Sequence, residues 1–172
     1  YLPFLCFLSF FLMPSAFANG LIPHRALYDI TLHRLDKGHT MVNIAGEASL
    51  SVKATCNGWI SDHLFTLIYD YRDTPPIKMT SAISSHESYD AKRFSFTTDR
   101  QRNGVTYEKI RGNLTKDTEK TVFTHPQART VKTSKDTFLP MQHTQTLVSA
   151  AKNGRRHITL PLFDGSSDKG PM

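Results

Sequence analysis

Apolar and polar residues alternate along most of the chain, and this pattern predicts β-strands. In the segments 26–32 and 48–56 the apolar side chains occupy every second position, with mostly polar or charged residues between them. Successive side chains of a strand point to opposite faces, so each segment is expected to bury one face and expose the other. The other segments with strand character are 64–71, 77–83, 94–96, 105–111, 121–124, 130–133 and 158–162.

Turn-forming residues separate these segments, at Lys37-Gly38, Asn57-Gly58, 73–76, Asn103-Gly104 and Asp164-Gly165. Asn103-Gly104 is the strongest short hairpin signal, because both central positions of a type I′ turn need a positive φ. Short strands separated by turns predict one antiparallel sheet that curls, or a barrel-like sheet. No internal repeat, low-complexity linker or domain boundary interrupts the pattern, which predicts a single β-rich domain over residues 19–172.

One segment has the period of a helix. Pro140 suits the first helical turn, and Gly154 suits the residue after the last turn. The apolar residues between them lie at approximately helical spacing: Met141, Leu147, Val148 and Ala151. We predict one amphipathic helix over residues 140–153 that packs on the sheet. The expected fold class is therefore mainly β, a curled antiparallel sheet of spiral or open-barrel character with one packed α-helix.

The first eighteen residues have the pattern of a secretory signal peptide. Residues 1–13 are almost continuously apolar, and the small-x-small triplet Ala16-Phe17-Ala18 follows shortly after them. This pattern predicts cleavage after Ala18. The apolar run is shorter than the roughly 20 residues that a membrane-spanning helix needs. We therefore expect a mature protein that starts at Asn19 and acts outside the cytoplasm.

Both ends of the sequence predict a longer protein. A signal peptide normally starts with Met and basic residues, and neither is present before the apolar run. The competing interpretations are an unusual signal without a basic region and an uncut membrane anchor. At the other end, a sheet that ended near residue 172 would leave an unpaired edge, which predicts missing C-terminal sequence.

The basic charge of the chain limits its partners. The formal net charge is +6, and no charged residue lies within the predicted signal. Outside the cytoplasm nucleic acid is not an expected partner, and the anionic surfaces are phospholipid head groups, lipopolysaccharide and cell-wall polymer. The basic clusters at 92–93, 100–111 and 152–156 thus predict association with anionic envelope surfaces or lipid. A solvated basic surface without a specific partner is the alternative.

Residues with catalytic or metal-binding chemistry are scattered. The eight histidines form no His-x-His or His-x₃-His pair. There is no Gly-x-Ser-x-Gly elbow and no glycine-rich phosphate loop. We therefore predict no catalytic residue, no cofactor and no metal, and a metal held by His33, His39 and His63 would contradict this.

Cysteine usage leaves one question open. Cys6 lies in the predicted signal, so Cys56 is the remaining cysteine. An unpaired cysteine is unusual in an oxidising compartment. A buried thiol, a bridge between chains and a partner in missing sequence all remain open.

Two stretches combine proline with polar side chains in apolar surroundings, at 23–29 and 138–144. Strand-edge pairing and helix capping also account for such residues. Together with the stretches 55–59, 94–98, 107–112 and 161–166, however, they make the chain resemble the bacterial cell-envelope integrity EipB family. The motif residues, whose role is unknown, are Pro23, His24, Arg25, Tyr28, Asp29, Pro140, Gln142 and His143.

The resemblance implies a non-enzymatic periplasmic protein that supports envelope integrity and binds periplasmic or envelope proteins. It also implies a spiral-like sheet partly wrapped round a helix, and a disulfide from Cys56 to a second cysteine that has no counterpart in this chain. The alternative function is a carrier of a lipid or acyl chain in the concave face of the sheet. A helix that filled this face with Met141, Leu147 and Val148 would exclude such a ligand.

Overall fold

The computed structural model of the protein describes residues 21–35, 38 and 40–168. The predicted signal peptide, its cleavage site, Cys6 and His39 lie outside the described residues. Eight strands, one 3₁₀ turn and one α-helix make up the regular structure. The strands are β1 (His24–Thr31), β2 (Met41–Ala54), β3 (Gly58–Tyr71), β4 (Ile77–Ser88), β5 (Arg93–Arg102), β6 (Val105–Thr115), β7 (Lys120–His125) and β8 (Arg129–Lys132). The 3₁₀ turn is Lys116–Thr118 and the helix α1 is Pro140–Lys152.

Each strand pairs antiparallel with the strand that follows it in the sequence, so the sheet order is β1 to β8 without a crossover. In the described part of the chain β1 and β8 do not pair with each other, and the sheet is open. Asn103 and Gly104, with φ of 50° and 81°, form the predicted two-residue hairpin turn. The predicted class, a mainly β antiparallel sheet with one helix, is confirmed.

Alternation gives the sheet two different faces. The face that carries the aromatic core is called the inner face, and the opposite one the outer face. From the sheet, Phe94, Phe96, Ile110, Leu114 and Phe123 build the main inner cluster. Leu139 and Phe163, which follow the strands, complete it, and the Phe163 ring meets Phe94, Phe96 and Phe123 edge-on. A second cluster joins Val52, Trp59 and Met141, with Leu21 and Leu50 packed against it.

Residues 163–166 lie against the inner face. Thr98 Oγ1 donates to the Gly165 carbonyl at 3.1 Å, and an Arg100 guanidinium N–H donates to the Ser166 carbonyl at 2.8 Å. Gly165 has a φ of 72°, and a Cβ there would lie 2.4 Å from Cγ of Phe96, so only glycine fits this close approach.

The strand predicted over 158–162 is wrong. This segment forms only an isolated parallel bridge between Leu162 and Phe138. Burial alternates along it, with Ile158, Leu160 and Leu162 half-buried and the residues between them exposed. Alternation of apolar and polar residues indicates which side chains are half-buried. A strand also needs a neighbouring strand that forms hydrogen bonds with its backbone.

Helix α1 begins at Pro140, as predicted, and ends within a residue of the predicted boundary. Met141 is its one buried residue, and the Leu147 side chain is 37% exposed. The helix is therefore attached to the sheet through its first turn. It does not fill the concave face with Leu147 and Val148.

Candidate functional site

A groove crosses the outer face from β1 to β5. Strand pairing aligns two neighbouring rows of side chains across these five strands. The first row is Leu27, Ser49, Leu64, Ala82 and Asp99, and the second is Arg25, Ser51, Asp62, Ser84 and Thr97. Both rows line a cavity of about 740 Å³, which we call the outer groove.

The outer groove combines hydroxyl groups, apolar side chains and both signs of charge. Leu27 and Leu64 are 69% and 44% exposed. The Oγ atom of Ser51 is buried and has no hydrogen-bond partner among the described residues. Exposed leucines beside hydroxyl and charged side chains suit this surface to a ligand that offers apolar groups and hydrogen bonds together.

Charges lie at both ends of the outer groove. Asp62 accepts a hydrogen bond from Ser84 Oγ at 2.7 Å and lies 3.9 Å from Lys53 Nζ. At the β5 end Lys109 Nζ is 3.1 Å from Asp99, and its hydrogen bond lowers the pKa of that carboxyl. On β1, Arg25 has no carboxylate partner in the part of the chain that the structure describes. The groove therefore offers a free guanidinium at its β1 end.

On the inner side, a carboxylate of the sheet caps the helix. Glu87, near the end of β4, is 3% exposed and accepts the backbone N–H groups of Met141 at 2.7 Å and Gln142 at 2.9 Å. The residue at the cap position, Leu139, has no side-chain oxygen, so the sheet supplies the acceptors that the first turn lacks. Lys116 Nζ adds a bond to the Gln142 side chain at 2.8 Å. Burial raises the pKa of Glu87 and lowers that of Lys116.

A hydrogen-bonded serine–histidine pair lies on β3, and its role is structural. Ser61 Oγ and His63 Nε2 are 2.7 Å apart, a distance that a nucleophile and its base would also have. Ser61 is only 4% exposed, so a substrate has no access to its hydroxyl. The pair satisfies two polar groups on the inner face. Within the described residues, no group of three or more His, Cys, Asp or Glu is placed to hold a metal ion.

We expect His63 to make the protein less stable as the pH falls. Burial lowers the pKa of His63, against the opposing charges of Asp62 and Asp164. The folded state therefore takes up a proton less readily than the unfolded state, and stability is lost as the pH falls from about 6.5 through the folded-state pKa. Chemical denaturation between about pH 7 and pH 5 should show this loss for the wild type and a smaller one for His63→Gln. The exposed-site variant His24→Gln should follow the wild type; parallel curves for all three proteins would contradict the prediction.

Comparison with known proteins defines the family. A family model of EipB-like proteins matches residues 15–172. The chain belongs to the EipB-like family. It is 27% identical to the Cell envelope integrity protein EipB of Brucella abortus (strain 2308) over 157 residues, which are 90% of this chain and 56% of that protein. It therefore spans just over half the length of the curated relative that it matches.

A solved structure shares the fold. The crystal structure of a beta-barrel-like protein of a domain of unknown function from Brucella abortus matches with a TM-score of 0.81 and 25% sequence identity. The match covers 88% of this chain and 64% of that one. The resemblance to the EipB family and the curled β architecture are thus confirmed.

The EipB-like motif residues lie in two separate places. On β1 and directly before it, Pro23, His24, Arg25, Tyr28 and Asp29 are all exposed, and of these Arg25 lines the outer groove. In the first turn of α1 lie Pro140, Gln142 and His143. No hydrogen bond or ion pair joins the two groups within the described residues. The second cluster lies beside both groups, since it contains Met141 and Leu21 packs against it.

The sequence pattern missed Glu87, Lys116 and most of the outer groove. The sequence did contain a signal for Glu87. Alternation places Glu87 on the same face of β4 as Ile83 and Ser85, and a carboxylate on a core-facing position needs a partner. Groove residues such as Ser49 and Ser84 carry no such signal, since small polar residues are ordinary on an exposed strand face.

Cys56 lies in the turn between β2 and β3, where its thiol is exposed and free. A disulfide with a second cysteine stays a prediction. Among the described residues, no helix combines the length and the apolar character that crossing a bilayer requires.

Proposed function

We propose that this protein is a non-enzymatic periplasmic protein that supports envelope integrity by binding other envelope components, and that the outer groove binds an extended segment of a partner protein. The name of the Brucella relative supports the role in the envelope, and the signal-peptide pattern supports the compartment. The observation that carries the binding site is the outer groove itself, with its aligned hydroxyls and exposed leucines.

The dimensions and chemistry of the groove favour a polypeptide. Four spacings between neighbouring strands give it a length of about 19 Å. An extended peptide of about six residues spans that distance. Its backbone would meet the hydroxyls of Ser49 and Ser84, and its apolar side chains would contact Leu27 and Leu64. Arg25 would then pair with an acidic group of the partner.

An acyl chain on the inner face is the second candidate. Leu147 is not part of the buried core, so the helix leaves part of the inner face uncovered. A cavity of about 270 Å³ lies on this face, lined by Tyr69, Tyr71, Ile77 and Met79. Ligand sites usually measure about 300–1,000 Å³, so the outer groove has the more suitable size.

Filling the groove should abolish function without unfolding the protein. We expect Ala82→Trp to weaken partner binding at least about tenfold, or about 1.4 kcal/mol, because Ala82 lies in the first row between Leu64 and Asp99. Ala151→Trp is the matched control, since Ala151 is exposed on α1 away from the groove. The measurement is rescue of detergent resistance in a strain without the gene, together with site-specific crosslinking in the periplasm.

Three results decide between the candidates. If Ala82→Trp folds normally and rescues the strain as well as Ala151→Trp does, the outer groove is not the binding site. Native mass spectrometry of protein purified from the periplasm would detect a bound acyl chain and favour the inner face instead. Crosslinks from groove positions to one envelope protein, lost in Ala82→Trp, would support the proposal.

A further inference from the structure

The helix and the segment after it carry unbalanced positive charge. No Asp or Glu occurs between Thr137 and Phe163, whereas this segment contains Lys152, Arg155 and Arg156. Elsewhere many cations are paired with carboxylates: Lys53, Lys92, Arg100, Lys109, Arg129, Lys132 and Lys135. Lys152, Arg155 and Arg156 are exposed and have no ion pair in the described part of the chain. We call these three residues the basic corner.

The chain reverses direction at the basic corner. The N–H groups of Asn153, Gly154 and Arg155 bond to the last carbonyls of α1, at 3.0 to 3.1 Å. Gly154 has a φ of 74°, the left-handed conformation that ends many helices. The chain then returns beside the helix to Phe138. Because the terminal carbonyls are already bonded, they do not compete for the charged side chains of the corner.

A cleft of about 810 Å³ lies between the helix and the returning segment. Gln145 and Ser149 line it from the helix, and Arg155 and Ile158 from the returning segment. Lys152 and Asn153 lie at its end. The lining of the cleft thus offers the cations of Lys152 and Arg155, side-chain amides such as that of Gln145, and no carboxylate, which is the chemistry of a site for an oxyanion.

We propose that the basic corner and its cleft bind the phosphate of an anionic lipid head group, so that this end of the molecule docks on a membrane surface of the envelope. The proposal rests on the proposed function only in placing the protein in the envelope. A membrane surface presents many phosphates at once and attracts clustered basic residues additively. That suits three exposed cations within five residues at the turn that follows α1.

The test measures binding of the full-length mature protein to vesicles of phosphatidylcholine with and without phosphatidylglycerol. We expect binding only with phosphatidylglycerol, and weaker binding as salt rises. In the triple variant Lys152→Gln, Arg155→Gln, Arg156→Gln, affinity should fall by roughly a hundredfold, or about fivefold for each cation. The control is Arg72→Gln, Lys78→Gln, Arg102→Gln, which removes three exposed cations elsewhere and should change affinity only slightly.

Each other outcome overturns the proposal. Equal losses in the two triple variants would show general attraction to the net charge. Salt-insensitive binding would show apolar insertion. Saturation by glycerol phosphate without vesicle binding would show a site for a free phosphate. Ala82→Trp should bind vesicles like the wild type. The experiments therefore distinguish a failure of the proposed groove function from a failure of the basic-corner proposal.

Discussion

Replacing Phe163 with alanine is expected to lower the free energy of unfolding by about 4 kcal/mol, as truncations of buried phenylalanines do. Phe163 is almost fully buried, and its ring contacts three other phenylalanines of the main cluster. The variant leaves a cavity and also loosens the segment that ends in Gly165 and Ser166. Urea denaturation followed by circular dichroism measures the change.

Tyr107→Ala is the control for this prediction, because Tyr107 is an exposed aromatic residue of β6. Its free energy of unfolding should stay within about 0.5 kcal/mol of the wild type. A loss below about 1 kcal/mol in Phe163→Ala would mean that residues 163–166 do not complete the core in solution.

Glu87→Ala is expected to cost about 3 kcal/mol, because two buried N–H groups at the start of α1 lose their acceptors together. Glu87→Gln keeps one carbonyl oxygen and should cost less. The exposed residue Glu47 provides the control, and Glu47→Ala should unfold like the wild type. If Glu87→Ala is as stable as this control, the sheet does not cap the helix.

The raised pKa of Glu87 predicts the direction in which stability changes with pH. Burial raises its pKa, so the folded state binds a proton more readily than the unfolded state. The stability of the wild type relative to Glu87→Gln should therefore be highest below about pH 4.5 and decline as the pH rises through the folded-state pKa. If the stability difference between the wild type and Glu87→Gln grows with rising pH, the hydrogen bonds from the helix N–H groups lower the pKa of Glu87 more than burial raises it.

The strands were predictable where only one face is apolar. β2 was recognised from Ala48, Leu50 and Val52, although its first residues were missed. The first half of β3 was missed because Ser61, Asp62 and His63 put polar groups on both faces. Ser61 and His63 satisfy each other only in the folded sheet, and a sequence pattern does not show such a bond.

The outer groove could not be predicted for a related reason. Its rows exist because Ser49 lies opposite Leu64, and Leu64 opposite Ala82. These partners depend on register, which the turns and buried faces set jointly. The helix start, in contrast, was predictable from Pro140 alone, since proline is preferred in a first helical turn. The carboxylate that caps it comes from 54 residues earlier in the chain.

The order of the strands has a consequence for the proposed export of the protein. Each strand needs only its predecessor as a template, so a chain that emerges N-terminus first from a translocation channel adds one hairpin after another, with little loop-closure entropy. The aromatic side of β5 to β7, however, stays open to water until residues 161–166 have followed. During that interval Phe94, Phe96 and Phe123 form an exposed apolar surface, which a chaperone of the proposed periplasmic location would bind.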